Sequence, residues 1–288
     1  MSNLTVVIVN YKSWAPLKIC LDSLLNQTNI EPKIIVLDNN SDDDKFIDFK
    51  LKYKSINWIK NQENYGFSKA CNLGAKIVKT EWILFLNPDS KIPKDCLEKL
   101  MNEVCDEKNK IIGIKQLNET GENTHAYGNF LNWFSINGIF RFIYRIYYGQ
   151  TRNKLTDLKF FSPDWISGSF FLIKKNDFDK IGGWDEDFFM YYEDMDICKR
   201  AKNLNIKTKF YNNLHCYHFH GKSSRVNNQI KVNSKAQVIK SSHIFVKKHY
   251  SGLNAKLISL TLFFSQLIEL IILYPFSAEK RKILKKFL

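Results

Sequence analysis

The feature that most constrains the fold is a recurrence. Three short apolar runs each stop at a cluster of Asn, Asp and Ser. Leu4-Thr5-Val6-Val7-Ile8-Val9 runs into Asn10-Tyr11, Lys33–Leu37 into Asp38-Asn39-Asn40-Ser41, and Trp82–Leu86 into Asn87-Pro88-Asp89-Ser90. Continuous runs of this kind mark strands buried on both faces, as in sheets covered by helices on each side. Helical spacing fills the gaps. Ser13 and Pro16 suit a helix start, and Leu17, Leu21, Leu24 and Leu25 then recur on one side. Phe67–Lys79 repeats the pattern with Ala70, Leu73, Gly74 and Ile77. With Asn57–Lys60 as a further strand, the alternation predicts a largely parallel α/β sheet. Ligands of such sheets bind beyond the carboxyl ends of the strands, where the three polar clusters fall. Each cluster alone reads equally well as a turn, because Asn, Asp, Ser and Pro favour turns. Three at one end of one sheet argue for a site.

The α/β texture resumes at Trp165. Phe170–Ile173 reads as a strand, Gly182-Gly183 as a turn, and Glu193–Asn203 as a helix with Ile197, Ala201 and Leu204 on one face. Phe210–His220 then leads back toward the sheet. Residues 120–163 differ: Trp133, Phe134, Phe140, Phe142, Tyr144, Tyr147 and Tyr148 interleave with Arg141, Arg145 and Arg152. That mixture fits a packed subdomain, or a surface for sugar, nucleic acid or membrane. Near the end, Leu257–Phe276 is apolar and is followed by Lys280-Arg281-Lys282 and Lys285-Lys286. Its length approaches the roughly 20 residues that span a bilayer. Glu269 and Pro275 favour a helix lying in the membrane interface, with packing onto the globular part or a bilayer span as the alternatives. The expected division is residues 1–228 as the catalytic domain and 229–288 as a helical, membrane-associating region.

Charge narrows the partners. Lys and Arg outnumber Asp and Glu by 43 to 29, a net +14 over 288 residues. Such an excess favours phosphates, nucleic acid or anionic lipid. The six Cys include no CxxC pair, so neither a disulfide framework nor a zinc site is expected, and the thiols read as reduced and cytosolic. Leu4–Val9 follows Met1 too closely for an export signal. There is no Walker A sequence, no GxGxxG after the first strand and no Ser nucleophile elbow.

The chemistry-bearing residues lie at the predicted strand and helix ends. Asp89 can bind Mg²⁺ or Mn²⁺ on a diphosphate, offsetting charge on a leaving group. Asp38, backed by Asn40 and Ser41, can accept from a base N–H or a ribose hydroxyl; an Asx-turn explains it equally well. Glu193 and Asp194 open a helix, where an ionised carboxylate is favoured, as a general base requires. Neighbours on a helix diverge, so one faces the site and the other braces it. The bland reading is helix capping. Asp196 is expected at solvent or bonded to Lys199 or Arg200. His218 can complete a metal site with Asp89, with His220 its rival. Lys222, Ser223 and Arg225 can reach a diphosphate.

Taken together and in order, these segments resemble the inverting family-2 glycosyltransferases of the GT-A fold, rhamnosyltransferase-like branch. The resemblance rests on Val6–Tyr11, Val36–Ser41, Asn64-Tyr65-Gly66-Phe67 with Asn72, and Leu86–Ser90. It continues through Ser167-Gly168-Ser169, Gly182–Glu186, Phe188–Asp196, and His218 with Gly221 and Ser223. It implies a Rossmann-like, mostly parallel sheet flanked by helices. Asn10, Tyr11, Asp38, Asn40, Gly66, Phe67, Asn72, Asn87, Lys222 and Ser223 would bind the nucleotide-sugar donor. Asp89 and His218 would hold a divalent cation, Mg²⁺ or Mn²⁺, although Asn87-Pro88-Asp89 carries one carboxylate fewer than the family's Asp-x-Asp. Asp194 would be the base, supported by Glu193, and Trp165 and Trp184 would stack on the acceptor. The implied reaction is inverting transfer of a sugar, L-rhamnose from dTDP-rhamnose first, to a surface polysaccharide or a polyprenyl-diphosphate-linked glycan. It would take place at the cytoplasmic face of an anionic membrane. UDP-hexose or UDP-galactofuranose donors are the alternatives. A sugar nucleotidyltransferase lacks its phosphate loop here. A nucleic-acid partner is not expected, since it would leave Asp38, Asp89 and the Glu193-Asp194 pair without a role.

Overall fold

The computed structural model describes residues 3–41, 43–131, 158–219, 221 and 228–287. The first half alternates strictly: β1 (Leu4–Asn10), α1 (Trp14–Leu25), β2 (Lys33–Asp38), α2 (Lys45–Lys52), β3 (Asn57–Lys60), α3 (Gly66–Lys76) and β4 (Trp82–Leu86). There follow β5 (Ser90–Lys91), α4 (Cys96–Val104), β6 (Lys110–Leu117), β7 (Tyr127–Gly128), β8 (Phe160–Phe161) and β9 (Trp165–Ile166). The domain then runs through β10 (Phe170–Lys174), α5 (Lys175–Ile181), α6 (Glu193–Asn203) and β11 (Lys207–His218). Three helices end the chain: α7 (Asn228–His249), α8 (Gly252–Leu273) and α9 (Ala278–Phe287).

The main sheet has the order β3-β2-β1-β4-β10-β6-β11-β5, with β8 paired to β11. The strands β3, β2, β1 and β4 are parallel, in a register that sets Asn10 beside Asp38 and Ile8 beside Leu86. The three polar clusters therefore share one edge. β10 enters antiparallel to both β4 and β6, so the sheet is mixed beyond its parallel half. Apolar content alone carries no strand direction, and this reversal was not visible in the runs.

The unbroken apolar runs have a direct explanation. Side chains alternate between faces along a strand, and both faces are covered. Leu4, Val6, Ile8, Leu84 and Leu86 pack with Leu17 and Leu21 of α1 and Leu97 and Leu100 of α4. Val7, Ile83, Phe85, Phe171 and Ile173 pack on the other side with Cys71, Phe178, Ile197 and Ala201 of α3, α5 and α6. Each such aliphatic side chain contributes about 1.5–3 kcal/mol on burial. All six cysteines are free thiols, five of them buried.

One expected acceptor residue is corrected here. Trp184 is 1% exposed and belongs to the second core. Its ring meets those of Phe67, Phe85, Phe171 and Phe178, with centroids at 5.5, 5.2, 4.8 and 6.4 Å. The turn at Gly182 and Gly183, with φ of 88° and 73°, drives it inward, so it has no face for a sugar.

The C-terminal helices pack both on one another and on the residues that precede them. Val246 packs with Ile258 and Leu262, and Val232 with Leu270 and Ile283. From α7, Phe245 packs against Phe188 and Met195, and Ser241 donates to the Met190 carbonyl at 2.8 Å. Lys248 pairs with Asp185 and Asp187. Among the described residues, α8 is the one helix long and apolar enough to cross a membrane. Three of its positions are buried, whereas Leu260, Phe264, Ile268, Ile271 and Ile272 are exposed.

Candidate active site

The strand ends are tied into a buried polar crown. Asn10 Nδ2 donates to Asp38 Oδ1 at 2.9 Å, and the Ser41 N–H donates to Asp38 Oδ2 at 3.0 Å. The Ser41 hydroxyl also donates to Asp38 Oδ1, and it accepts the Lys12 N–H at 2.8 Å. Asp38 thus braces the ends of β1 and β2. Asn39 extends the crown by donating to the Gly66 carbonyl at 2.8 Å, and Asn61 donates to Asn39 Oδ1 at 2.7 Å. Lys12 and Asn40, with φ of 55° and 56°, are turned into left-handed conformations at its rim.

A second cluster lies at the end of β4. Because β5 pairs with β11, Ser90 stands opposite His218, and His218 Nε2 reaches 3.4 Å from Asp89 Oδ1. Both side chains are buried. His218 Nδ1 lies 2.9 Å from Gln116 Oε1, which already accepts the Ser169 hydroxyl at 2.9 Å. A carbonyl oxygen only accepts, so Nδ1 carries the hydrogen. The opposite ring nitrogen, Nε2, faces Asp89 and lies 3.4 Å from Asn87 Nδ2. A carboxylate and an imidazole nitrogen converging in a buried space form a donor set that fits a divalent cation taking mixed N and O ligands. No group of three or more His, Cys, Asp or Glu converges among the described residues.

The third element is the start of α6. Tyr191 and Tyr192 both adopt left-handed conformations, with φ of 69° and 68°. Two consecutive bulky residues there mark stored strain beside a functional site. The turn delivers two carboxyls to different places. Asp194 is half-buried; its Oδ1 accepts the Met195 N–H at 2.8 Å and its Oδ2 the Gly168 N–H at 3.3 Å. Burial pushes its pKa up to about 6, against the pull of those N–H donors. Glu193 points inward. Burial, reinforced by the Asp194 charge, raises its carboxyl well above the usual range.

The same turn is stapled to α3. Phe67 N–H donates to the Phe189 carbonyl at 2.7 Å. Gly66, at φ +76°, makes that approach possible, since a Cβ there would lie 2.3 Å from the Phe189 oxygen. Asn72 is used differently from the expected nucleoside contact. Its side chain clasps the Trp184 N–H and carbonyl at 2.9 and 2.8 Å and reaches Glu186 at 3.0 Å.

The structure therefore brings Asn10, Asp38, Gly66, Asn87, Asp89 and His218 to one edge of the sheet. Asp194 reaches that edge through Gly168, next to the Ser169 that supports His218. Trp165 is half-buried, with its indole N–H on the Asn129 carbonyl at 3.1 Å. Lys222, Ser223, Arg225, His220 and the aromatic and Arg residues of 132–157 lie outside the described residues. Gln116, Asn39 and Asn61 carry roles that sequence reading missed. The expectation for Asp196 holds in its Arg200 bond alone: it is 1% exposed, not at solvent, and is also bonded to His249.

Comparison with known proteins bears on this geometry. The family described as Glycosyl transferase family 2 matches residues 5–182. The rhamnosyltransferase WbbL of Escherichia coli strain K12 is 26% identical over 74% of this chain and 82% of its own length. The low-salt glycan biosynthesis hexosyltransferase Agl10 of Haloferax volcanii is 28% identical over 72% of this chain and 64% of its own length. A crystal structure of GalNAc-T7 with UDP, GalNAc and Mn²⁺ shares the fold, with a TM-score of 0.57 at 16% identity, covering 75% of this chain and 42% of that one. The chain thus spans slightly under two thirds of the archaeal relative and less than half of the structural neighbour.

Proposed function

Since the chain belongs to glycosyl transferase family 2, and is therefore a transferase of GT-A fold, we propose that it moves a sugar from a nucleotide diphosphate to an acceptor hydroxyl with inversion. The observation that carries this reading is the pairing of a base and a diphosphate-side cluster across one dipeptide. Asp194 is anchored on Gly168, and His218, 3.4 Å from Asp89, is supported from Ser169 through Gln116.

Asp194 accepts the proton of the acceptor hydroxyl as its oxygen attacks the anomeric carbon. The bond to the diphosphate breaks on the opposite face. A base near its own pKa is efficient at neutral pH. Asp89 and His218 would hold a divalent cation, which supplies positive charge for the departing diphosphate. Asn10, Tyr11, Asp38 and Asn40 form the nucleoside side of the pocket, with Gly66 and Phe67 lining it. Trp165 serves the acceptor.

The donor we favour is dTDP-L-rhamnose, supported by the WbbL similarity. A UDP-sugar is the second reading, favoured by the UDP of the structural neighbour and by the hexosyltransferase relative. The acceptor is a growing surface glycan or a polyprenyl-diphosphate-linked one. The exposed apolar face of α8 and the basic α9 support work on the inner face of an anionic membrane. The test is a thermal-shift screen with dTDP, UDP, GDP and CMP, with and without Mn²⁺, on the parent and Asp89→Ala. A nucleotide at about 100 times its dissociation constant adds roughly 2.7 kcal/mol. Stabilisation by one nucleotide, weakened in Asp89→Ala, names the donor class. Absence of any response from the folded protein would sink the donor assignment.

A further inference from the structure

The C-terminal unit contains a groove of about 400 Å³ between α7 and α9. Its floor is saturated hydrocarbon, from Ile239, Ile244 and Ile283. Its rim is cationic, from Lys240 and Lys247 on α7 and Lys286 on α9. Lys240 and Lys247 are two helical turns apart on one face, separated by about 10 Å along the axis. No Asp or Glu lines the groove.

The absence of counter-charge is local. From residue 228 onward the chain has eleven Lys and Arg against two acidic residues, Glu269 and Glu279. Both are already engaged: Glu269 by Lys280, and Glu279 by Lys231 and Lys235. Lys248 is held by Asp185 and Asp187. Among the described residues Lys240, Lys247 and Lys286 have no carboxylate partner; Lys286 donates instead to Asn233. Positive charge concentrated around an aliphatic floor matches an anion that carries a hydrocarbon chain. A nucleobase would call for a Phe, Tyr or Trp platform, and none lines this groove.

The groove is also joined to the apolar helix. α8 packs against both of its walls, and Gln266 of α8 meets His243 of the groove at 2.9 Å. We propose that this groove binds the headgroup phosphate of an anionic bilayer phospholipid between Lys240, Lys247 and Lys286, with the start of its acyl chain on Ile239, Ile244 and Ile283. The proposal rests on the reading of α8 as lying on a membrane. It adds a discrete lipid site to what would otherwise be diffuse attraction.

The experiment is flotation of the full chain with vesicles of phosphatidylcholine alone and of phosphatidylcholine with phosphatidylglycerol. The test variant is Lys240→Gln/Lys247→Gln/Lys286→Gln. The control is Lys256→Gln/Lys282→Gln/Lys285→Gln, which removes equal charge outside the groove. The parent should prefer the anionic vesicles, and the groove variant should lose about tenfold or more of that preference while melting like the parent. The control should keep most of it. Equal losses in the two variants, or an undiminished preference in the groove variant, overturn the site. A variant with Phe264→Glu/Ile268→Glu separates the two readings. If it abolishes binding to every vesicle while the groove variant is unaffected, the membrane reading stands and the groove falls. In a competition arm on the parent, dihexanoyl-phosphatidylglycerol should displace the protein from vesicles and inorganic phosphate should not. Equal displacement by inorganic phosphate, or stronger displacement by an isoprenyl phosphate, overturns the assigned occupant.

Discussion

His249, the last residue of α7, places its Nε2 2.7 Å from Oδ1 of Asp196, two residues beyond the proposed base. The other Asp196 oxygen is held by Arg200 at 2.6 Å. Arg200 in turn donates to the carbonyls of Ile181 and Gly183, both at 2.9 Å. The C-terminal helix thus closes a buried network around the helix that carries Asp194. His249→Ala would leave one oxygen of a buried carboxylate short of a partner, a loss of about 1–3 kcal/mol. Denaturant unfolding should show that loss. Steady-state kinetics should show kcat falling more than donor affinity, because the nucleoside crown at Asp38 is untouched.

Asp194 sets the pH dependence. As a base it acts only when ionised, so kcat/KM should rise with pH through about 6, the value to which burial pushes it. Asp194→Asn should remove that limb and lower kcat by about 10²–10⁴-fold, the usual worth of a positioned base. The stability effect has the opposite sense. A carboxyl whose pKa is raised on folding stabilises the native state below its unfolded pKa and loses that contribution as pH rises through about 6. Asp194→Asn should therefore melt higher than the parent at pH 8, with the difference closing as pH falls below that value. An unchanged difference across the range would contradict the shift.

Glu193 makes the contrasting prediction. Burial and the Asp194 charge raise its pKa and so favour the neutral acid, which an amide mimics in shape and charge. Glu193→Gln should fold normally and keep its activity within about tenfold of the parent, well short of the loss from a missing base. Progress curves for the two amide variants, run side by side, test whether the two carboxyls have separate jobs.

Gln116 fixes the tautomer of His218. Gln116→Leu removes the acceptor for Nδ1–H and frees the ring to turn. Loss of such a supporting bond typically costs about 10–100-fold in metal affinity. Nucleotide binding measured by calorimetry should weaken by that factor with Mn²⁺ present and change little without it.

Gly66→Ala tests the staple between α3 and the Tyr191–Tyr192 turn. A methyl group there meets the Phe189 carbonyl at 2.3 Å, on backbone with φ of +76°. Relief requires the turn to move, so melting temperature and kcat should fall together. Gly121→Ala, also at positive φ but with open space around its Cβ, should affect stability alone.

Much of this was legible because burial on both faces of a parallel sheet writes itself as unbroken apolar runs. Leu4–Val9, Lys33–Leu37 and Trp82–Leu86 were read from that, and their polar ends marked the site edge. β6 was missed because Lys110, Gly113, Lys115 and Gln116 interrupt its pattern, and the His218 support was missed with it. Trp184 was misread because an exposed-looking Gly-Gly-Trp-Asp turn gives no hint that it folds the indole inward among four aromatic rings. Asn72 was misplaced for a related reason: its partners are the Trp184 backbone, 112 residues away, and the Glu186 side chain beyond it, which no local pattern reports. α7 has little one-sided character of its own, because it is packed by the domain on one flank and by α8 and α9 on others.

Gly168 and Ser169 are consecutive, and the two halves of the site hang from them separately. A peptide step is a fixed length, so neither half can drift from the other without distorting that loop. Inserting or deleting a residue between β9 and β10 would throw the two halves out of step, and selection should hold the loop at constant length.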